Sequence, residues 1–223
     1  EFYWFPHTRG TRTKTNTRLR IEAGAEPLGR VAKSLDEELV NNQALGALVA
    51  AERLVPAMTP RVNRMIEGFS SRRTYSDLSN RVFVTRRAVR FREMEYALPL
   101  DAVPQAVREI GAMIERQRLR ISFPVEVRAA AADDRFLSTA HSRESGYIAV
   151  HRYWREDPTR YFREVEAIFQ DHGGRPHWGK MHTLGETTLR ERYPRFDDFV
   201  AVRDRLDPDR VFRNAYLDRV LGA

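Results

Sequence analysis

Ile121-Ser122-Phe123-Pro124-Val125-Glu126-Val127-Arg128 alternates apolar and polar residues from end to end. A period of two is that of a strand with one face in a core and the other turned toward solvent or a site. In such a strand Glu126 and Arg128 share a face, roughly 6–7 Å apart along the chain. Gly146 to Tyr153 repeats the pattern, setting Tyr147, Ala149, His151 and Tyr153 against Ile148, Val150 and Arg152. Phe91 to Pro99 predicts another strand, with Met94 and Tyr96 on one side and Glu93 and Glu95 on the other.

Outward from these strands the period changes. Val103, Val107, Ile110 and Ile114 form one apolar helix face ending near Gln117, with Asp101 as an N-cap and Pro104 tolerated in the first turn. Tyr161, Phe162, Val165, Ile168 and Phe169 predict an amphipathic helix over 158–170, stopped by Gly173-Gly174. A last helix near 195–206 ends at Leu206-Asp207-Pro208. Toward the N-terminus, residues 1–6 read as a short apolar strand, and 9–22 as an exposed strand or loop with Thr11, Thr13, Thr15 and Thr17 on one face. After a linker at 24–29, Leu35, Leu39, Leu45, Leu48 and Val49 predict a helix over 33–54. Met58, Val62, Met65, Ile66 and Phe69 predict a second over 58–68. Both are expected to be core helices. Residues 70–80 read as a loop and Arg81 to Thr85 as a strand. Strands and helices are intermixed without regular strand–helix–strand alternation. That predicts an α+β fold, an antiparallel sheet covered by helices.

The chain has 223 residues, 42% of them hydrophobic, which suffices for one sizeable core or two small ones. It has no cysteine, so disulfides and thiolate chemistry are excluded and a cytoplasmic, reducing setting is expected, with peripheral membrane association left open. The formal charge is +7, but acids interleave with the arginines, as in Arg203-Asp204-Arg205, and no nucleic-acid motif accompanies them. A nucleic-acid partner is not expected. The chain opens at once into Phe2-Tyr3-Trp4-Phe5, which suggests a piece of something longer.

Residues 171–183, Asp-His-Gly-Gly-Arg-Pro-His-Trp-Gly-Lys-Met-His-Thr, concentrate the chemistry. Among 38 basic residues only Lys14, Lys33 and Lys180 are lysines. An ammonium where the chain otherwise uses guanidinium points to the compact, tunable charge of lysine. His172, His177 and His182 fit no zinc spacing and lack a close acid partner, so no metal centre is expected. From spacing alone, Glu126 and Arg128 are either a structural ion pair or a pair that orients a ligand. His151 and His177 are as readily structural as functional.

Pro176-His177-Trp178-Gly179-Lys180 resembles the His-Trp-Gly-Lys signature of the sugar-1,4-lactone oxidases. These are the D-arabinono-1,4-lactone and L-gulono-1,4-lactone oxidases, with the related alditol oxidases, of the vanillyl-alcohol-oxidase flavoprotein superfamily. The likeness continues through Phe91–Pro99, Glu126-Val127-Arg128, Ala132-Asp133-Asp134, His151, Arg192–Phe199, Leu206–Asp209 and Phe212–Leu217. It also takes in Tyr3–Thr8 and Asn41–Gly46.

The resemblance implies the C-terminal substrate (cap) domain of an FAD-dependent oxidase or dehydrogenase. That domain would span residues 1–190, and 191–223 would return to an FAD-binding domain not contained in these residues, which carry no glycine-rich phosphate loop. The substrate implied is an aldono-1,4-lactone, giving ascorbate or an analogue, with an alditol as the alternative and oxygen or a cytochrome-like carrier as electron acceptor. A non-catalytic basic binding domain is the alternative from another class. By the same resemblance Lys180, Glu126 and Arg128 are catalytic, and Glu126, Arg128, His151 and Lys180 bind substrate. His177, Trp178 and Lys180 would face the flavin. Lys180 would stabilise developing negative charge or act as base, and its replacement by methionine is expected to stop turnover with little loss of stability.

Overall fold

The computed structural model describes residues 1–20, 22, 24–29, 45–68, 74–84 and 88–222. The chain divides into two compact units. One comprises Glu1–Arg92, Arg118–Val125 and His151–Asp157; the other comprises Glu93–Gln117, Glu126–Val150 and Pro158–Ala223.

In the first unit β1 (Phe2–Trp4) pairs antiparallel with β2 (Thr11–Thr13), Phe2 opposite Thr13 and Trp4 opposite Thr11. Of the described residues in 9–22, expected to be an exposed strand or loop, Thr11–Thr13 are strand and most of the rest are loop. Helix α1 (Leu45–Leu54) and a 3-10 turn at Pro56–Met58 lead into α2 (Thr59–Gly68). The earlier part of the helix expected over 33–54, with Leu35 and Leu39, lies outside the described residues, as does Phe69. Asn63 of α2 is fully buried, and its Nδ2 donates to the carbonyls of Pro6 and Ile121, each at 2.9 Å. One amide therefore joins the N-terminal turn, α2 and the 118–125 segment, satisfying carbonyls that burial would otherwise strand.

The sequence expectation of two core helices holds only in part. Val49 and Val62 are buried, but Met58 and Met65 are exposed. The strand expected at Arg81–Thr85 is instead helical over α3 (Ser79–Phe83). Asp77 Oδ1 accepts from the Leu78 N–H and forms an ion pair with Arg81 at 3.7 Å, and the Arg81 N–H reaches the Leu78 carbonyl. This local turn chemistry outweighs the β preference of Val82 and Val84.

Glu52 on α1 is 3% exposed. Burial lifts its carboxyl from 4.5 to about 7, with the negative charge of Glu156 adding to the shift and the Thr59 hydroxyl opposing it. The unfolded chain releases this proton near 4.5 while the folded chain holds it to about 7. The unfolded state therefore binds fewer protons across that window, and stability falls as pH rises through it. The Glu52→Gln variant is expected to remove this loss, leaving it more stable than the unmodified chain by about 3 kcal/mol on the alkaline side. Urea denaturation on either side of the window checks this; parallel pH profiles for the two proteins would refute it.

In the second unit the strands lie in the order β4 (Val125–Ala130), β5 (Ser145–Tyr153), β3 (Phe91–Pro99) and β6 (Arg175–Pro176). β4 and β5 are antiparallel, Glu126 opposite Ala149 and Arg128 opposite Tyr147. β3 and β6 are also antiparallel, Tyr96 opposite Pro176. The strand expected from Ile121 begins only at Val125, because Pro124 has no N–H to give a ladder; Ile121 and Phe123 are buried outside it.

Helix α4 (Val103–Arg116) packs with α5 (Thr159–Asp171), while α6 (Glu186–Arg192), α7 (Phe196–Leu206) and α8 (Ala215–Leu221) follow. Asp101 is not the N-cap of α4. It lies in a 3-10 turn, Leu100–Ala102, and Ala102 precedes the helix without a side-chain cap. The core gathers Leu98, Ile110, Met113, Ile114, Ile148, Val165, Phe169, Leu189 and Phe196, each worth about 2 kcal/mol on burial. Gly173, at φ +64°, ends α5, and a Cβ on Gly174 would stand 2.6 Å from the Phe169 carbonyl oxygen. The chain can turn back onto β3 only with glycine at that second position. The α+β class with antiparallel strands covered by helices is as the sequence predicts.

Candidate active site

Five charged side chains of the second unit meet where β3, β4 and the segment after β6 come together. Glu93 and Glu95 stand two apart on β3, so alternation puts both carboxylates on one face. Beyond β6 the chain stays attached to β3 through its backbone: the His177 N–H donates to the Glu95 carbonyl and the Met181 N–H to the Glu93 carbonyl, each at 2.9 Å. Between those two points it makes a turn, closed by the Lys180 N–H on the His177 carbonyl at 3.1 Å. A regular ladder would bring Gly179 opposite Glu93, so the turn inserts two extra residues and lifts Lys180 over the carboxylates. Its Nζ lies 2.6 Å from Glu93 Oε1 and 2.8 Å from Glu95 Oε2.

The other half comes from β4. Arg128 Nη2 donates to the same Glu95 Oε2, and Arg128 Nε lies 3.5 Å from Glu126 Oε1. The Arg128 guanidinium also sits 6.0 Å from the centre of the Tyr147 ring, its cross-strand neighbour on β5. Glu95 is 1% exposed, Lys180 18% and Arg128 41% at the side chain. A carboxylate so deeply buried is tolerable only with cations in direct contact. The two cations are therefore fixed from below by Glu95 and partly open above.

The loop carrying Lys180 is braced on every side. Glu166 of α5 is buried and accepts from the Tyr96 hydroxyl at 2.5 Å, the Thr183 N–H at 2.7 Å and the Thr183 hydroxyl at 2.6 Å. Burial, reinforced by that carboxylate, holds the Tyr96 phenol well above its ordinary range. Trp178 donates its indole N–H to the Leu137 carbonyl at 2.9 Å, with its ring 4.9 Å from that of Tyr193. Tyr216 of α8 donates to the Trp178 carbonyl at 2.6 Å, so the His182 Nε2–H donates in turn to the Tyr216 oxygen, 3.0 Å away. Burial, with Arg219 nearby, lowers His182 to about 4, so this ring is neutral at neutral pH. On the other side of β6, buried Arg175 donates to the carbonyls of Arg192, Thr139 and His141.

The structure thus unites Lys180, Glu126 and Arg128, which the sequence singles out. His177 and Trp178 lie in the same turn as Lys180. His177 Nδ1 accepts from the Gly179 N–H at 3.0 Å, which leaves the proton of the neutral ring on Nε2. His151 belongs to the first unit, where it is buried 5.1 Å from the Phe91 ring and its Nδ1 lies 3.2 Å from the Pro124 carbonyl. His172 pairs with Glu109 at 2.8 Å, between α5 and α4. Glu93 and Glu95 are the site residues the sequence reading passed over as the polar side of a strand. Their signal was two acids at alternate positions of a strand, the second of them set within the otherwise apolar run Met94 to Pro99.

With this geometry in hand, comparison with known proteins is specific. The family described as D-arabinono-1,4-lactone oxidase matches residues 1–220. Over 222 residues the chain is 45% identical to an L-gulono-1,4-lactone dehydrogenase of Mycobacterium tuberculosis, covering 100% of this chain and 51% of that protein. It is 29% identical to an L-gulonolactone oxidase of Bos taurus, covering 98% and 50% respectively. It is 32% identical to an alditol oxidase of a Streptomyces species over 139 residues, 58% of this chain and 31% of that one. The chain spans about half the length of the relatives that it matches from end to end.

Proposed function

The chain belongs to the D-arabinono-1,4-lactone oxidase family, and on that premise we propose that it is the substrate-binding part of a flavin-dependent oxidoreductase. Its reaction is the oxidation of a CH–OH group of an aldono-1,4-lactone such as L-gulono- or D-arabinono-1,4-lactone. The observation that carries this reading is the pair of cations, Lys180 and Arg128, fixed on one buried carboxylate and partly open to a ligand.

A flavin fits this donor set, since lysine and arginine only donate hydrogen bonds and so suit a group that takes up negative charge. His177, Trp178 and Lys180 would hold it. Trp178 would offer its ring alone, its N–H being spent on Leu137. When bound, the flavin supplies the hydride acceptor. The FAD-binding domain would precede these residues, and the C-terminal segment 191–223 would return to it. Supporting that return, Leu206, Val211 and Phe212 of this segment are 74%, 74% and 80% exposed, while its Phe196, Val220 and Leu221 anchor it in the second unit.

Lys180 has three N–H donors and gives two to Glu93 and Glu95, so the third is available to the reacting hydroxyl oxygen. There it stabilises the negative charge that grows as the hydroxyl proton departs. Arg128 donates to the ring or carbonyl oxygens of the lactone and sets its angle. Glu126 accepts from the reacting hydroxyl and takes its proton in concert with the loss of hydride from carbon, so that the oxygen carries the negative charge that Lys180 meets. Oxygen or a cytochrome-like carrier would reoxidise the flavin.

The likeness to an alditol oxidase keeps an open-chain polyol as the second reading. A non-catalytic basic module is disfavoured because the site's cations face carboxylates rather than an open basic surface. Mixing the full-length protein anaerobically with L-gulono-1,4-lactone is expected to bleach the flavin absorbance rapidly, and xylitol far more slowly. Bleaching by xylitol alone would transfer the assignment to polyols, and a full-length protein without a flavin band would overturn it.

A further inference from the structure

We propose that Glu95 is the positioning residue of this site: one buried carboxylate oxygen fixes Lys180 and Arg128 relative to each other and aims both at the substrate. The inference rests on the function proposed above. It concerns a residue that makes no contact with substrate, because its side chain is 1% exposed.

Three observations lead to it. Glu95 Oε2 accepts from Lys180 Nζ at 2.8 Å and from Arg128 Nη2, so the cations are held within two hydrogen-bond lengths of each other, about 5–6 Å. Left to themselves, two like charges at that distance repel. Second, the same residue fixes the loop through its backbone, its carbonyl accepting from the His177 N–H at 2.9 Å. A single strand position therefore sets both the path of the Lys180 loop and the direction of the Lys180 side chain. Third, stability does not explain the arrangement. A buried ionic cluster is seldom more stable than apolar side chains of similar volume, and Met94, Tyr96, Ala97 and Leu98 beside it are buried without charge. Glu93, at 21% exposure, pairs with Lys180 and Glu126, at 12%, with Arg128. Glu95 is held by both cations.

The test uses the full-length protein with Glu95→Gln. Glutamine keeps the volume but turns an N–H donor or a weaker, uncharged acceptor toward the two cations, so that their shared anchor is lost while Lys180 keeps Glu93 and Arg128 keeps Glu126. The limiting rate of flavin reduction by lactone is expected to fall about 100-fold, the effect of displacing reactive groups by about 1 Å. In a Lys180→Met background the same change is expected to add less than about 3-fold to the loss of limiting rate, because Glu95 then has no ammonium to aim and Arg128, which it still holds, acts mainly on KM.

A second readout needs no turnover. Peptide-resolved acylation by an amine-reactive reagent is expected to proceed several-fold faster at Lys180 in Glu95→Gln, and unchanged at Lys14. A flavin-reduction rate within about 3-fold of the parent, or equal losses from Glu95→Gln in both backgrounds, would overturn the proposal. Should Lys180→Met itself keep full turnover, the proposed reaction fails, and the acylation rates still decide whether Glu95 holds Lys180. If the glutamine variant does not fold, Glu95→Asp keeps the charge but withdraws it by one methylene. It is expected to lose most of the rate, and parent-like kinetics there would equally overturn the proposal.

Discussion

Replacing Lys180 with methionine is expected to lower turnover of the full-length protein by about 100- to 1,000-fold, the effect of removing one preorganised donor from a developing oxyanion. The loss should fall on kcat, because the interaction strengthens only as charge grows on the substrate oxygen. Methionine keeps the length of the side chain and cannot donate.

The sequence alone suggested that this change would leave stability almost untouched. The geometry says otherwise. Lys180 is the group between Glu93 and Glu95, at 2.6 and 2.8 Å. Without it Glu95 keeps Arg128 but loses its second cation, and at 1% exposure it cannot turn to solvent. A loss of about 2 kcal/mol is expected, less than for an entirely uncompensated buried charge. Anaerobic stopped-flow reduction and urea denaturation separate the two effects. Full turnover in the variant would remove Lys180 from the mechanism whatever its stability.

The second large effect is expected at Arg128. Changing it to methionine removes donors that would orient the lactone in the ground state as well as the transition state. KM should rise by about 10- to 100-fold, with a smaller fall in kcat. The guanidinium is 41% exposed, so its stability contribution is small, under about 1 kcal/mol. Steady-state kinetics with L-gulono-1,4-lactone check this. An unchanged KM would mean that Arg128 serves only the ion pair, the structural reading that the spacing of Glu126 and Arg128 left open.

What could be read from the sequence followed periodicity. The alternation at Val125 to Arg128 and at Gly146 to Tyr153, and the helical faces at 103–114 and 161–169, all mark elements that are found, because each period reports its type of element directly, although β5 is buried on both faces from Ile148 to His151. Misreadings fell where local chemistry opposed the pattern, as at Pro124 and at the Asp77–Arg81 turn. Helices α6 and α8 have seven residues each, too short to establish a period, and neither was foreseen.

In the site, Lys180 stood out through its rarity and Glu126–Arg128 through their spacing. Glu95 did not. In a strand read as half exposed an acid is unremarkable. Only the attachment of the loop after β6, which covers β3, turns that acid into a buried one. Such a contact joins residues 85 positions apart and leaves no local trace.

That separation also bears on how the protein comes to be competent. The bonds that make the site link residues 33, 85 and 87 apart in the chain. Closing loops of that size opposes early formation, so local helices such as α4 and α5 can form while the charged cluster is still dispersed. A nascent chain that has emerged only as far as β5 holds the site's three carboxylates, Glu93, Glu95 and Glu126, together with Arg128 but without Lys180. Lys180 arrives last, and competence is acquired in one late step instead of accumulating with chain length.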